Sequence, residues 1–375
     1  MASRRLPVYL LLDCSESMAG TGIDEINRGI QTIVSELRKS PMALETAYLS
    51  VITFSRYAKQ EIPLTELLAF QPPKLSVRPG TAFGTAVQLL LKCMQREVVK
   101  TSATSKGDYK PLVFLFTDGQ PTDDWEPAVA ALRSANQPKI ANIYAIGCGP
   151  DVDTSVLHQV TDIVFKMDGM SSDAWRKVFV WMSASVSAAS VKLTTGDGVS
   201  AIEMPPLPAG LEFIPPGSES YHDPVPQQVF LQALCQKSRQ PYLMRFARQG
   251  SRSSYTAICS HKLDAVSSGD DDVLPPINSA QLDGCPSCPY CNNEIAGTCP
   301  CGAIFCADAK QSGPIVCPKC RSTLGFGGSG SFDISRTSGL CFVGKKTVPD
   351  RCGNTSGEHY EFELLRVRLQ IKSLV

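Results

Sequence analysis

The sequence predicts an α/β protein: a doubly wound, mostly parallel sheet over residues 1–190, followed by a smaller β-rich part with a cysteine module. Three observations carry this. Leu6–Leu12 and Leu112–Phe116 are unbroken apolar runs, and each is followed closely by an aspartate, Asp13 and Asp118. Between the apolar runs lie stretches with helical spacing, such as Ile26, Ile30, Ile33, Val34 and Leu37. Eight of the fifteen cysteines fall between Cys285 and Cys320. Strands without polar alternation belong to sheets covered on both faces, and intervening amphipathic helices supply the cover.

The first part reads, in order, as a strand at Pro7–Leu12, a helix at Asp24–Arg38, a strand at Ala47–Phe54 and an edge strand at Ala58–Leu64. A helix follows over Gly84–Val99, with Ala86, Val87, Leu90, Leu91 and Met94 on one face. Then come strand Leu112–Phe116, helix Pro127–Ser134, strands Asn142–Ile146 and Ile163–Lys166, and helix Ser172–Ser187. Residues 191–284 read as a Pro/Gly/Ser-rich linker plus a β-rich segment, with strands at Val229–Cys235, Tyr242–Ala247 and Tyr255–Ser260. Residues 285–322 form the cysteine module. Residues 323–375 read as a Gly/Ser linker, Gly325–Ser331, and a strand-like tail, His359–Leu374.

Hydrophobic residues make up 43% of the 375 and charged residues 19%, which is ordinary for a soluble globular chain. Lys+Arg and Asp+Glu are both 36, a balance that speaks against broad electrostatic binding of nucleic acid. No apolar run is long enough to span a membrane. Arg4, Arg5 and Leu6–Leu12 resemble a signal sequence, but the run ends in Asp13 with no small-residue cleavage site, so a buried strand is the better reading. A dense local cysteine cluster without a signal points to metal binding in a reducing, cytoplasmic setting.

Asp13, Ser15 and Ser17 stand as D-x-S-x-S directly after the first apolar strand. Asp118 follows the strand at Leu112–Phe116, in Thr117-Asp118-Gly119, and Thr81 lies in Gly80-Thr81-Ala82-Phe83-Gly84 before a helix. Ligands of α/β sheets bind at the carboxyl ends of the strands. Two carboxylates and three hydroxyls converging there suit a hard cation, Mg²⁺ or Mn²⁺, in an octahedral shell at about 2.0–2.1 Å for Mg²⁺. The set leaves a position open for a partner's carboxylate. Alone, each piece would read as a loop or helix cap. Together they resemble the von Willebrand factor A family, which implies a Rossmann-like fold and a metal-ion-dependent adhesion site formed by Asp13, Ser15, Ser17, Thr81 and Asp118.

Cys288-Pro289-Tyr290-Cys291 and Cys317-Pro318-Lys319-Cys320 are C-P-x-C elements. Two such pairs about 25 residues apart can place four thiolates around Zn²⁺, giving a closed, structural, zinc-ribbon-like site. Cys285, Cys299, Cys301 and Cys306 would supply a second zinc, with the pairing open. An A domain joined to such a module, with Cys235-Gln236-Lys237-Ser238-Arg239-Gln240-Pro241-Tyr242-Leu243 between, is similar to bacterial TerY-type proteins of the tellurium-resistance and stress-response group. The resemblance implies a partnership with a Ser/Thr protein kinase and a metal-dependent protein phosphatase.

An enzyme is not expected. No general base accompanies the hydroxyl-rich cation site, and His158, His222, His261 and His359 are isolated. The expected function is a protein-binding adaptor. The competing reading is a zinc-module protein of nucleic-acid or ubiquitin-like transactions. Against it, the cysteine segment holds few basic residues, Lys310, Lys319 and Arg321, and no histidine. Gly325–Gly330 matches G-x-G-x-x-G outside a strand–helix context and reads as linker. Ser331, Ser335 and Thr337, with Ser329 and Ser338 beside Arg336, lie in a stretch that reads first as plain linker; the alternative reading is a phosphoacceptor segment for the partner kinase.

Overall fold

The computed structural model describes residues 4–102, 104–118, 120–134, 139–149, 152–167, 171–195, 204–218, 225–248, 253–264, 275–310, 313–327, 331–334 and 360–364. The chain divides into two compact units, Met1–Pro224 and Val225–Val375.

The first unit is built on a seven-stranded sheet in the order β3-β2-β1-β4-β5-β6-β7. Its strands are β1 (Leu6–Asp13), β2 (Ala47–Phe54), β3 (Ala58–Glu66), β4 (Leu112–Thr117), β5 (Asn142–Cys148), β6 (Val164–Met167) and β7 (Leu211–Ile214). Five run parallel, from β2 to β6, and the edge strands β3 and β7 are antiparallel to their neighbours. The helices are α1 (Thr21–Leu37), α2 (Pro41–Thr46), α3 (Phe83–Glu97), α4 (Glu126–Arg133), α5 (Thr154–Val160) and α6 (Ser172–Thr195).

Why β1 and β4 are apolar throughout is visible in their packing. Tyr9, Leu11, Val113 and Leu115 join Phe83, Val87, Leu90 and Met94 of α3 in one cluster. On the other face, Phe116 stacks on Trp175 and Phe179 of α6, with ring centroids 6.0 and 5.3 Å apart. There α1 and α6 lie so close that a Cβ at Gly29 would sit 2.1 Å from the Phe179 ring. Strand order reverses between β1 and β4, with β2 on one side and β5 on the other. The crevice at their carboxyl ends is therefore the switch point where such sheets bind ligands.

The expected elements appear, and four points differ. Helices α2 and α5 were not anticipated, being too short to show a period. The linker expected from residue 191 gives way to helix as far as Thr195 and to edge strand β7 at Leu211–Ile214. The Gly/Ser stretch opens as a strand, Thr323–Gly327, paired with Ile315–Val316. The boundaries also move. The units meet at Pro224 and Val225, and the cysteine module is continuous with the β-rich segment rather than separate from it.

That second unit begins with a meander of β8 (Gln228–Leu234), β9 (Pro241–Arg248) and β10 (Tyr255–Lys262). Leu234 then pairs in parallel with Phe305 of strand Ile304–Ala307, which pairs with Ile295–Thr298. Tyr360–Leu364 adds alongside Ile295–Thr298 and Thr323–Gly327, so part of the strand-like tail is in the sheet, and the rest of it lies outside the described residues. Among the described residues, no helix is long and apolar enough to cross a membrane.

Candidate metal centres

At the switch point, β1 delivers Asp13 and the turn after it delivers Ser15 and Ser17. Asp13 is fully buried, and its Oδ1 accepts a 2.8 Å hydrogen bond from the Ser15 backbone N–H. Thr117, the last residue of β4, donates from Oγ1 to Asp13 Oδ2 at 2.6 Å. The Ser15 and Ser17 hydroxyls are 2.8 Å apart, and Ser17 Oγ donates to Asp118 Oδ1 at 2.6 Å. Asp13, Ser15, Ser17 and Asp118, drawn from two strand ends, thus form one hydrogen-bonded chain.

Thr81 is the fifth expected residue. It is buried and lines a small pocket with Thr117, while its loop is held from several directions. Its N–H donates to Thr122 Oγ1 at 3.0 Å, and the Thr122 N–H donates back to the Thr81 carbonyl at 3.0 Å. The Gly80 N–H donates to Glu16 Oε2 at 2.6 Å. Asp123 caps the start of α3, accepting from Gly84 N at 3.0 Å and Thr85 N at 2.9 Å, where free N–H groups would otherwise lack partners. Gly84 has to be glycine, because a Cβ there would stand 2.6 Å from Trp125 Cα. Thr117, Thr122, Asp123 and Glu16 were missed as supporting residues. Thr117 alone carried a signal, being part of the T-D-G element.

The donor set fits a hard cation. Burial pushes the Asp13 carboxyl above its usual range, and the hydrogen bonds from Ser15 and Thr117 only hold it back. A divalent ion would supply the positive charge that a buried carboxylate needs. The neighbouring thiols Cys14 and Cys148 are also buried, with pKa values pushed well up by burial, so both stay protonated.

The second unit gathers eight thiols into two clusters. One is Cys235, Cys288, Cys291 and Cys306; the other is Cys299, Cys301, Cys317 and Cys320; in each, the sulfurs lie within 4.8 Å of one another. The sulfur separations of 3.5 Å (Cys291 to Cys306), 3.6 Å (Cys299 to Cys320) and 3.7 Å (Cys301 to Cys317) are far beyond a disulfide. They match the edge of a tetrahedron of about 3.8 Å that Zn–S bonds of about 2.3 Å would define.

This corrects the expected grouping. Cys288 and Cys291 do not share a site with Cys317 and Cys320; each pair anchors its own cluster. Cys285 joins neither, and burial pushes its thiol up to about 12, disfavouring the thiolate. Its place is taken by Cys235, from the turn between β8 and β9.

The reason lies in a repeated turn. The N–H of Cys235 donates to the carbonyl of Gln240 at 2.9 Å, and that of Arg239 to the carbonyl of Cys235 at 2.8 Å. Cys288 repeats the pattern with Asn293 and Asn292, both at 2.9 Å, and Cys317 with Ser322 and Arg321, both at 3.0 Å. The residue four after each cysteine is left-handed: Arg239 at φ 58°, Asn292 at 59° and Arg321 at 64°. Cys235-Gln236-Lys237-Ser238 is therefore a cysteine knuckle whose second cysteine is serine. Ser238 instead donates its backbone N–H to Cys235 Sγ at 3.4 Å. Burial raises the Cys235 thiol, but the hydrogen bonds from Ser238 and the backbone bring it down to about 7. Cys317, hydrogen-bonded to Cys299, is held below the usual thiol range. Both are disposed to the thiolate form that metals require.

Of the candidate phosphoacceptors, Ser331 is exposed beside the short strand Asp333–Ile334, while Ser329, Ser335, Thr337 and Ser338 lie outside the described residues.

Comparison with known proteins agrees with this division. Residues 8–172 match the family model of the von Willebrand factor type A domain, and residues 226–339 that of the TerY-C metal binding domain. No curated protein matches with significance. Among solved structures, proximal thread matrix protein 1 from the mussel byssus is 20% identical over 50% of this chain and 46% of its own, with a TM-score of 0.35. The chain thus spans less than half of that protein's length. A von Willebrand factor type A protein from Catenulispora acidiphila is 13% identical over 70% of this chain and 67% of its own, with a TM-score of 0.38. By these two successive matches, the chain carries a von Willebrand factor type A domain followed by a TerY-C metal binding domain.

Proposed function

We infer that this protein is a non-enzymatic adaptor that binds a protein partner through a divalent cation, Mg²⁺ or Mn²⁺, at Asp13, Ser15, Ser17, Thr81 and Asp118. One observation carries the reading. Two buried carboxylates and two serine hydroxyls are already linked in one hydrogen-bonded chain at the switch point, and Thr81 lines a pocket with Thr117 beside it. Such a set can hold a hard cation but cannot fill its shell, so a carboxylate from outside is the natural last ligand. The two cysteine clusters take one Zn²⁺ each, in closed four-thiolate shells with a structural role.

The partners are a Ser/Thr protein kinase and a metal-dependent protein phosphatase, in the cytoplasm. The resemblance to TerY-type proteins supports this, and the reducing setting suits free thiols in metal clusters. Ser331 and the serines and threonine after it are the kinase's targets; phosphopeptide mapping after co-expression with the kinase should find phosphate between Ser329 and Ser338, and none there refutes that part.

The test of the adaptor reading is affinity capture in Mg²⁺ buffer with wild type and Asp118→Ala, the bound proteins identified by mass spectrometry. A kinase or phosphatase held by wild type and lost by the variant is the expected result. The same proteins held by both would move docking away from the cation site.

A further inference from the structure

The loops around the cation site differ in charge from one side to the other. On the β2 side lie Arg56 and Tyr57, in the turn between β2 and β3, and Arg78, on the loop that leads to Thr81. Arg78 is tied to the site through its backbone, whose N–H donates to the Cys14 carbonyl at 2.8 Å, between Asp13 and Ser15. Its guanidinium hydrogen-bonds the Tyr57 hydroxyl and lies 5.4 Å from the centroid of that ring. Tyr57 is 48% exposed. The Ser55 carbonyl, one residue before Arg56, accepts the Ala82 N–H at 2.6 Å, so this turn is joined to the Thr81 loop.

The acidic groups on that side are already engaged. Glu16 accepts the Gly80 N–H, and Glu61 is paired with Lys59. On the β4 side the charge is opposite: Asp123 caps α3, and Asp124 and Glu126 are exposed.

We propose that Arg78, held by the Tyr57 hydroxyl, selects a partner segment in which the metal-bound carboxylate is flanked on one side by a second acidic residue. This rests on the reading of the cation site as a carboxylate-binding centre. A bound divalent ion draws a carboxylate to Asp13 and Asp118, and the residue beside it then lies against a cation anchored to the Tyr57 hydroxyl. An Arg held in this way loses little freedom on pairing, and it presents a planar fork to a carboxylate. Tyr57 offers a rigid apolar contact for the adjoining backbone. Opposite charges on the two sides also set the direction in which the segment lies, since like charges at a rim oppose the reversed orientation.

The experiment is a positional-scanning peptide library with a fixed central Asp, presented to the full chain in MgCl₂. Wild type, Arg78→Glu, Arg78→Lys and Asp118→Ala are compared. Wild type should favour Asp or Glu over Lys or Arg on one flank by about two- to fivefold, the scale of exposed ion pairs. Arg78→Glu should reverse that preference, Arg78→Lys should keep its sign, and Asp118→Ala should lose binding altogether. Binding that depends on Asp118 but shows the same flank preference in Arg78→Glu overturns the role of Arg78 and leaves the cation site standing. Binding that never depends on Asp118 overturns the cation-site reading, and the rim inference with it.

Discussion

The two units place their metal-ligating residues in opposite relation to their cores. In the first, Asp13 and Asp118 cap strands whose interior is already filled by Tyr9, Leu11, Phe116 and the faces of α3 and α6. That sheet can stand without an ion. In the second, thiols are part of the interior: Cys235, Cys288 and Cys306 lie in the cluster of Val229, Leu231, Tyr242, Met244 and Phe246, and Cys299 and Cys317 in a smaller one. Around Cys299 and Cys317 the buried residues are Ala303, Phe305, Ala307, Ile315 and Leu324, with Cys301 packed against them, too small a set to hold a fold alone. A site added to a finished core can serve binding, whereas a site built into a core serves stability first.

The largest expected effect breaks the second half of this comparison. Cys317→Ser should remove one of two zincs and the order of residues 299–327, because structural zinc supplies about 10–16 kcal/mol in small modules. Elemental analysis and limited proteolysis read this, and the first unit should stay resistant. Next, Gly29→Ala should destabilise the first unit by about 1–3 kcal/mol, through the clash with Phe179. Calorimetry should show its Tm lowered by several degrees with the zinc content unchanged. Thr117→Val removes the hydrogen bond to Asp13 Oδ2 while keeping the shape. It should weaken Mg²⁺ binding about 10–100-fold, the usual cost of a lost supporting partner, with little change in Tm. Titration calorimetry with Mg²⁺ measures it. The smallest effect belongs to Cys285→Ser, which should keep both zincs, whereas Cys235→Ser should lose one. One zinc in the first variant and two in the second would reverse the assignment of these two thiols.

How legible these features were in the sequence follows the same division. The strands β1 and β4 could be read directly, as could the meeting of Asp13, Ser15, Ser17 and Asp118 at their carboxyl ends, because apolar runs ending near Asp13 and Asp118 put local pattern and site chemistry in register. The edge strand β7 could not, since Leu211–Ile214 is short and follows a proline-rich stretch. In the second unit, spacing located the thiols but not their partners. The two clusters interleave along the chain, with Cys299 and Cys301 of one lying between Cys291 and Cys306 of the other, so nearest pairs are misleading. Cys235 was hidden by its distance from the rest and by the serine at position 238. Its turn, C-Q-K-S-R-Q, set beside C-P-K-C-R-S at Cys317, was the signal that could have exposed it.

The most direct test of this contrast is hydrogen exchange on the full chain before and after zinc is removed with a thiol-competent chelator, followed by Mg²⁺ titration of the stripped protein. Protection should collapse over residues 226–327 and persist over residues 6–195, and Mg²⁺ should still bind. Retained protection over residues 226–327 without zinc would contradict the account, as would its loss across both units together.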